Sequence, residues 1–408
     1  MKITTVKGTN DYLPEEVRLR DYIQNCILKT YIDAGFERIM TPAVEDIENL
    51  DKSDGGDNLN LIFKILKRGD KLKKAIESGE ENNLCDMGLR YDLTLPLSRY
   101  YANNREKLVL PAKCIQIDKV YRAERPQKGR LREFVQCDID IIGSKSINSE
   151  IELIHTTAKA LLSIGIEYFT VKINDRRILR GMLSLVGFEE SELDSVCITF
   201  DKLDKIGAEG VVSELIEKGF NKDAIDKFSD VISNPITLES LGTMCNDESA
   251  KDIRKIIEAV EILSDGKYKI KFDISLVRGQ GYYTGTVFEI VSDKFKGSIA
   301  GGGRYDNLIG KFVKENIPAV GFSIGFERIF ALLTEAGYTI PDSKKRIALI
   351  YDKSDVINAL KEAEKLRQEY DVVICEKPKK LSKYLDKIQE KGYYGFCFLG
   401  EEVRALGE

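Results

Sequence analysis

The stretch YRAERPQKGRLREFVQCDID, residues 121–140, holds Arg122, Arg125, Lys128, Arg130 and Arg132, then switches to a run that alternates polar and apolar. In an extended strand, that alternation puts Gln136, Asp138 and Asp140 on one face and Val135, Cys137, Ile139 and Ile141 on the other. The preceding run, KCIQIDKVYRAE, alternates too and offers Gln116, Asp118 and Arg122. Two such runs joined by a loop rich in Arg, Pro and Gly predict an antiparallel hairpin. The apolar face is core. The polar face either meets water or receives a ligand. Two carboxylates and an amide suit an ammonium group, and arginine forks grip phosphate bidentately, as lysine cannot. A ligand that is cationic at one end and phosphorylated at the other fits both features.

Four further stretches carry candidate chemistry. LVRGQGYYTGTVFEI places Arg278, Tyr282 and Tyr283 on a glycine turn between strands. Its Gly279, Gly281 and Gly285 spacing is not the dinucleotide fingerprint, and no helix follows. The alternatives are a turn with packed tyrosines and a pocket lined by an arginine and phenols. AGGGRYDNLIG reads as a glycine-rich turn leading into a helix; it lacks the GK[ST] of a P-loop, and its glycines allow a close backbone approach or a bulge. VGFSIGFERIF puts Arg328 in the first turn of a helix. That end of the helix dipole disfavours a cation unless an anion is shared with the helix N–H groups, or unless Glu327 is the partner. LRYDLTLPLSRY reads as a strand with Asp92 and Thr94 on one face.

Composition narrows the reaction types. His155 is the only histidine, and it flanks the apolar stripe of a helix. Any Ser–His, Cys–His or His–metal mechanism would pass through that one side chain, which shifts weight to catalysis by positioning and charge. The eight cysteines form no CxxC or metal-ligand spacing and read as reduced core thiols. A net charge of −5 argues against a general polyanion coat, although local patches decide nucleic-acid binding. No apolar run is long enough to span a bilayer, and MKITTVKGTNDYLPEE has no apolar core of a signal peptide, so a cytoplasmic location is expected.

These residues need elements to position them. A chain of 408 residues predicts two or three domains. The pattern gives an amphipathic helix over 15–34, an extended FERIMTPAVED, a polar excursion over 51–83 with a short apolar hairpin inside it, and mostly strand over 84–142. Residues 149–188 are mostly helical around a strand-like YFTVKIN. Residues 190–265 form a helical insertion. Strands resume at YKIKFDISLV and TGTVFEIVS. After PDSKKR, three buried-type strands alternate with helices over 354–368 and 379–391, a βαβαβ unit.

Taken together, these stretches resemble the histidyl-tRNA synthetases, a class II aminoacyl-tRNA synthetase family. GFERIMTPAVE, YRAERPQKGRLREFVQCDIDIIG and VGFSIGFERIF resemble the three class motifs in order. LVRGQGYYTGTVFEI and AGGGRYDNLIG resemble the two histidine-specific signatures, and VKGTNDYLPEE resembles the family's start. The resemblance covers about 1–190 and 266–408. It implies an α+β fold: an antiparallel six-stranded sheet flanked by helices in a catalytic domain over 1–340, with a helical insertion, and an anticodon-binding α/β domain over 344–408 that is expected to be short. It also implies a homodimer with motif 1 at its interface.

The resemblance further implies roles. Arg122 would hold the α-phosphate of ATP, with Glu124 and Arg130 at the same nucleotide. Phe134 would stack on adenine, and Arg328 would contact the nucleotide from its other side. Asp92, Thr94, Gln136 and Asp140 would receive the histidine ammonium and neighbouring groups. Arg278 would stabilise the reacting carboxylate and phosphate, and Tyr282, Tyr283 and Tyr305 would line the imidazole pocket. Gly281 stands where many members carry Asp. Histidine and ATP, with Mg²⁺ accompanying the triphosphate and no metal held by protein ligands alone, would give histidyl-adenylate, which the tRNA(His) 3′ end then attacks. The competing expectation is a catalytically silent relative, the regulatory subunit of ATP phosphoribosyltransferase. Such relatives generally lack the C-terminal domain and the ATP-gripping arginines, whereas Arg122, Arg278, Arg328 and most of a C-terminal domain are present here.

Overall fold

The computed structural model describes residues 3–52, 60–79, 83–126, 130–200, 202–233, 237–239, 247–277, 282–292 and 297–407. They fall into two compact units, Met1–Gly337 and Tyr338–Glu408. The strands, in chain order, are β1 (Glu37–Arg38), β2 (Val44–Asp46), β3 (Lys64–Leu66), β4 (Cys85–Leu89), β5 (Ala112–Tyr121), β6 (Glu133–Ile142), β7 (Phe169–Asp175), β8 (Lys269–Phe272), β9 (Thr286–Ser292), β10 (Ser298–Arg304), β11 (Ala319–Gly325), β12 (Arg346–Tyr351), β13 (Asp371–Glu376), β14 (Gly395–Phe398) and β15 (Arg404–Ala405).

Among the described residues the first unit is built on an eight-stranded sheet in the order β1-β5-β6-β11-β10-β9-β7-β8. The six strands from β5 to β7 pair antiparallel. The short edge strands β1 and β8 add in parallel. The β5–β6 hairpin is the longest ladder, running from Ala112↔Ile142 to Tyr121↔Glu133. The predicted alternation holds along β6: Val135, Cys137, Ile139 and Ile141 are buried in the core. Helices Pro14–Asp33 and Asn148–Ser163 pack together and against this sheet. His155 is half-buried on the second of these, with Nδ1 3.4 Å from the Tyr268 hydroxyl. The insertion is helical as expected, with Leu193–Phe200, Leu203–Glu217, Lys222–Ile232 and Asp247–Ser264. The described cysteines are unpaired, and no helix of the described residues is long and apolar enough to cross a membrane.

Three local expectations are corrected. The segment around Asp92 is a turn followed by a helix, Thr94–Asn104, rather than a strand. Asp92 Oδ1 accepts the Leu95 N–H at 3.1 Å, and Pro96 sits in the first turn, where its missing N–H costs no bond. Leu93, Leu97 and Tyr101 then recur at helical spacing and are buried. The polar excursion holds a helix, Asp70–Glu77, between β3 and β4, rather than a closed hairpin; these strands and β2 form a small sheet of their own. The glycine run Gly301–Gly303 is the middle of β10, not a turn. A Cβ on Gly302 would lie 2.0 Å from the Gly321 carbonyl and 2.7 Å from the Phe288 ring. The close approach of β10 and β11 therefore overrides glycine's poor strand propensity.

The second unit is a four-stranded sheet in the order β13-β12-β14-β15. β12 pairs parallel with β13 and β14, through helices Val356–Leu366 and Leu381–Glu390, and β15 closes one edge antiparallel. Ile347, Leu349, Ala359, Ala363, Val372 and Cys397 form its core.

Gly302→Ala is expected to destabilise the first unit by ~3 kcal/mol, at the upper end of overpacking, because backbone rather than a flexible side chain stands in the way. A fall in the urea midpoint with an unchanged slope checks this.

Candidate functional site

A cleft of ≈ 280 Å³ opens on the polar face of β6, β10 and β11. Its wall contains every described residue to which the resemblance gives a role: Asp92, Thr94, Arg122, Glu124, Arg130, Phe134, Gln136, Asp140, Tyr282, Tyr283, Tyr305 and Arg328; Gln116, Asp118, Arg125 and Arg132 are not part of it. Arg278, Gly279, Gly281 and Lys128 lie outside the described residues.

The cleft has two chemically different ends because successive same-face positions of β6 run from Phe134 through Gln136 and Asp138 to Asp140. At ordinary strand rise that run spans roughly 20 Å. At the Phe134 end stand the guanidiniums. Arg122 follows the last residue of β5; its Nε donates to the Tyr91 carbonyl at 3.0 Å, and its guanidinium carbon lies 5.1 Å from the centre of the Phe134 ring. Arg130 pairs with Glu124 at 3.3 Å. Arg328 lies in the first turn of helix Phe326–Glu335, and its Nη1 donates to the Ser298 carbonyl on β10.

Glu327 is not Arg328's counterion. It is gripped by both Nη atoms of Arg20, at 2.7 and 2.8 Å, and also accepts the Val135 N–H and the Tyr12 hydroxyl. Arg20 lies over the rings of Tyr12, Phe326 and Phe330. This pair braces the helix that carries Arg328 against β6. The N-terminal segment also reaches the arginine loop, where the Gly8 carbonyl accepts the Arg132 N–H at 2.7 Å. A side chain on Gly8, which has φ +89°, would run into Pro126 and Arg132.

At the other end three carboxylates are buried: Asp92 is 3%, Asp138 5% and Asp140 4% exposed. Asp140 Oδ1 accepts the Tyr305 hydroxyl at 2.6 Å. It leans over Gly321, its β11 partner, where a Cβ would come within 2.0 Å of that same oxygen. Tyr282 and Tyr305 stand edge to face, 6.0 Å between centroids, with Tyr283 4.9 Å from Tyr282. Gln136 Nε2 donates to the Ser323 hydroxyl at 3.1 Å. Gln136 Oε1 and Asp92 Oδ2 are buried acceptors with no hydrogen-bond partner among the described residues. Such orphaned acceptors are costly, and they mark where a ligand's N–H groups belong.

Burial pushes the Asp140 carboxyl up to about 7, against the Tyr305 hydrogen bond that lowers it, with Asp92 adding to the rise. Burial and then the neighbouring Asp140 charge hold Asp138 well above the usual carboxylate range, while Ser323 acts the other way. Asp92 is raised by burial, partly offset by the Leu95 N–H. Burial also lifts the Tyr282 and Tyr305 phenols, which stay neutral donors.

Sequence reading left out several wall residues. Asp138 lay on the right face but was given no role of its own. Ser298 and Ile299 also line the cleft, and no motif includes them. Ser323 lies opposite Asp138 on β11, a pairing visible only once the strand order is known.

Two outcomes follow. Arg20→Met leaves the largely enclosed Glu327 without its cation and is expected to cost ~3 kcal/mol of stability, measured by urea unfolding. For Asp140, the folded-state value of about 7 exceeds the ordinary 3.8, so its contribution is complete below the lower value and is lost as pH rises through the higher one. Unfolding at about pH 5 and about pH 8 is expected to show the ligand-free protein losing stability upward, with a shallower loss in Asp140→Asn.

The comparisons with known proteins bear on this cleft as a whole. A family model described as histidyl-tRNA synthetase matches residues 8–329. A histidine–tRNA ligase of Leifsonia xyli subsp. xyli is 40% identical, over 99% of this chain and 97% of that protein. One from Christiangramia forsetii is 36% identical, over 93% and 89%. The crystal structure of histidyl-tRNA synthetase from Nostoc sp. PCC 7120 superposes with a TM-score of 0.79 at 27% identity, covering 97% of this chain and 91% of that one. A Bacillus halodurans structure, described as an ATP phosphoribosyltransferase regulatory subunit/histidyl-tRNA synthetase, has a TM-score of 0.79 at 21% identity and shares the fold. A family match across the whole cleft-bearing sheet, with relatives this similar end to end, establishes that the chain belongs to the histidyl-tRNA synthetase family.

Proposed function

We infer that the protein is a histidine–tRNA ligase: it activates L-histidine with ATP and passes the histidyl group to the 3′ end of tRNA(His). The observation that carries this reading is the polarity of the cleft, with guanidiniums at one end of β6 and buried carboxylates at the other. An amino acid facing a triphosphate has the complementary polarity.

In this reading the histidine carboxylate attacks the α-phosphorus in line, the bond to the β-phosphate oxygen breaks, and pyrophosphate leaves. Negative charge gathers on the non-bridging oxygens, and pre-placed guanidiniums answer it without any proton transfer. Arg122 takes the α-phosphate, and its bond to Tyr91 fixes its direction. Phe134 and Arg328 hold the adenine between them, with Glu124 and Arg130 at its rim. ATP arrives with its Mg²⁺. Asp92 Oδ2 and Gln136 Oε1, both lacking partners, receive the α-ammonium. Thr94 stands beside them, and Tyr282, Tyr283, Tyr305 and Asp140 enclose the imidazole. The resemblance gives Arg278 the reacting carboxylate. The 3′-terminal ribose hydroxyl of the tRNA then attacks the adenylate carbonyl and AMP departs.

The catalytic role belongs to the unit ending at Gly337. Anticodon binding falls to the second unit, whose Lys377, Lys379, Lys380 and Lys383 supply cationic charge for a phosphate backbone. A homodimer through the motif 1 segment accounts for the exposure of Met40 (75%) and Val44 (43%) there.

Histidine-dependent exchange of label between pyrophosphate and ATP tests the reading, since a silent regulatory relative shows none. Arg122→Ala is expected to slow adenylate formation by roughly 10²–10³ while leaving the fold intact, the usual cost of one oriented donor. Near-normal exchange in that variant refutes the assignment.

A further inference from the structure

Asp138 is a buried carboxylate that the mechanism above does not use. It lies on β6 between two neutral cross-strand neighbours, Gln116 on β5 and Ser323 on β11. Gln116 accepts the Thr41 hydroxyl and donates to the Leu93 carbonyl. Ser323 hydrogen-bonds to the Asp138 carboxyl, and the Gln136 amide lies 3.5 Å from its Oδ1. The charges that bear on it are Asp140 along its own strand, Asp92 from the turn before helix Thr94–Asn104, and Arg122 at the end of β5.

Asp138 and Asp140 occupy consecutive same-face positions, roughly 7 Å apart along the strand. Gln136 and Ser323 orient Asp138 and Tyr305 orients Asp140, and each carboxyl keeps acceptor lone pairs unused by those bonds. A five-membered ring donating from both nitrogens, through charge-assisted bonds of about 2.8 Å, fills such a gap. We propose that Asp138 and Asp140 together seat the ligand's side chain as an imidazolium, each carboxylate accepting one ring N–H; this deepens the histidine ligase reading and rests on it.

The proton balances without an outside source. Two close carboxylates in a desolvated site do not both ionise, so the pair keeps one proton until a cation reaches it. A neutral imidazole enters, takes that proton on its unprotonated nitrogen, and leaves two carboxylates flanking one cation. Asp138 thereby becomes a specificity residue: a side chain of similar shape that cannot hold a second proton leaves the carboxyl pair without its counter-charge.

Ring-¹⁵N histidine bound to the full-length protein, observed by NMR at about pH 8, reads the ring directly. Free histidine is neutral there, having an ordinary value near 6.5. Both ring nitrogens are expected at imidazolium shifts. In Asp138→Asn the bound ring is expected to revert to a neutral tautomer, with KM for histidine in pyrophosphate exchange rising about 10–100-fold, the loss of one charge-assisted hydrogen bond, and KM for ATP unchanged. The neutral-ring analogue 1,2,4-triazole-3-alanine is expected to compete poorly against the unaltered protein and to lose that handicap in Asp138→Asn. A neutral bound ring in the unaltered protein, or an imidazolium that survives Asp138→Asn, overturns this inference and leaves the ligase reading standing. Absence of any bound histidine overturns both.

Discussion

The cost of keeping three carboxylates out of water governs the construction of this cleft. Each of Asp92, Asp138 and Asp140 is nearly inaccessible, and desolvation raises all three above their ordinary range. A site like this is a strained ground state that a cation relieves. The surrounding structure holds the groups in place until then. Asp92 caps the first turn of a helix, Asp140 lies across a glycine onto a tyrosine hydroxyl, and Asp138 rests on a serine. Rigid strands rather than loops carry two of the three, so the acceptors stay fixed whether or not a ligand is present.

The glycines of β10 and β11 serve the same end by a different route. Gly302 lets the two strands approach until no side chain fits between them, and Gly321 leaves the space that the Asp140 carboxyl fills. The floor is therefore backbone, and the chemistry is carried by the walls. Electrostatics then sort the ligand end to end. Guanidiniums at the Phe134 end and carboxylates at the Asp140 end orient a molecule of mixed charge before any close contact forms.

The parts of this design visible in the sequence were those that repeat within a few residues. Strand alternation over 134–141 put Gln136, Asp138 and Asp140 on one face, and the arginine loop announced the hairpin. The Asp92 segment was misread because a capping aspartate followed by Thr, Leu and Pro alternates much as a strand does; the helix is evident only once Leu97 and Tyr101 are packed. Gly301–Gly303 was misread because the partner that excludes a side chain is a strand some twenty positions later. The grip of Arg20 on Glu327 was invisible for the same reason carried further: nothing near either residue announces the other.

That grip links residues 307 positions apart in the chain. At ordinary rates of synthesis the arginine waits roughly 15–60 s for its carboxylate to be made. Tyr12 waits about as long for the same carboxylate, whereas Gly8 meets Arg132 much sooner. The arginine-bearing end of the cleft is thus a late assembly, closed only when the helix bearing Glu327 emerges and is caught by a segment translated at the outset. Nascent chains halted before that helix would carry the acidic pocket but not the latched wall beside it.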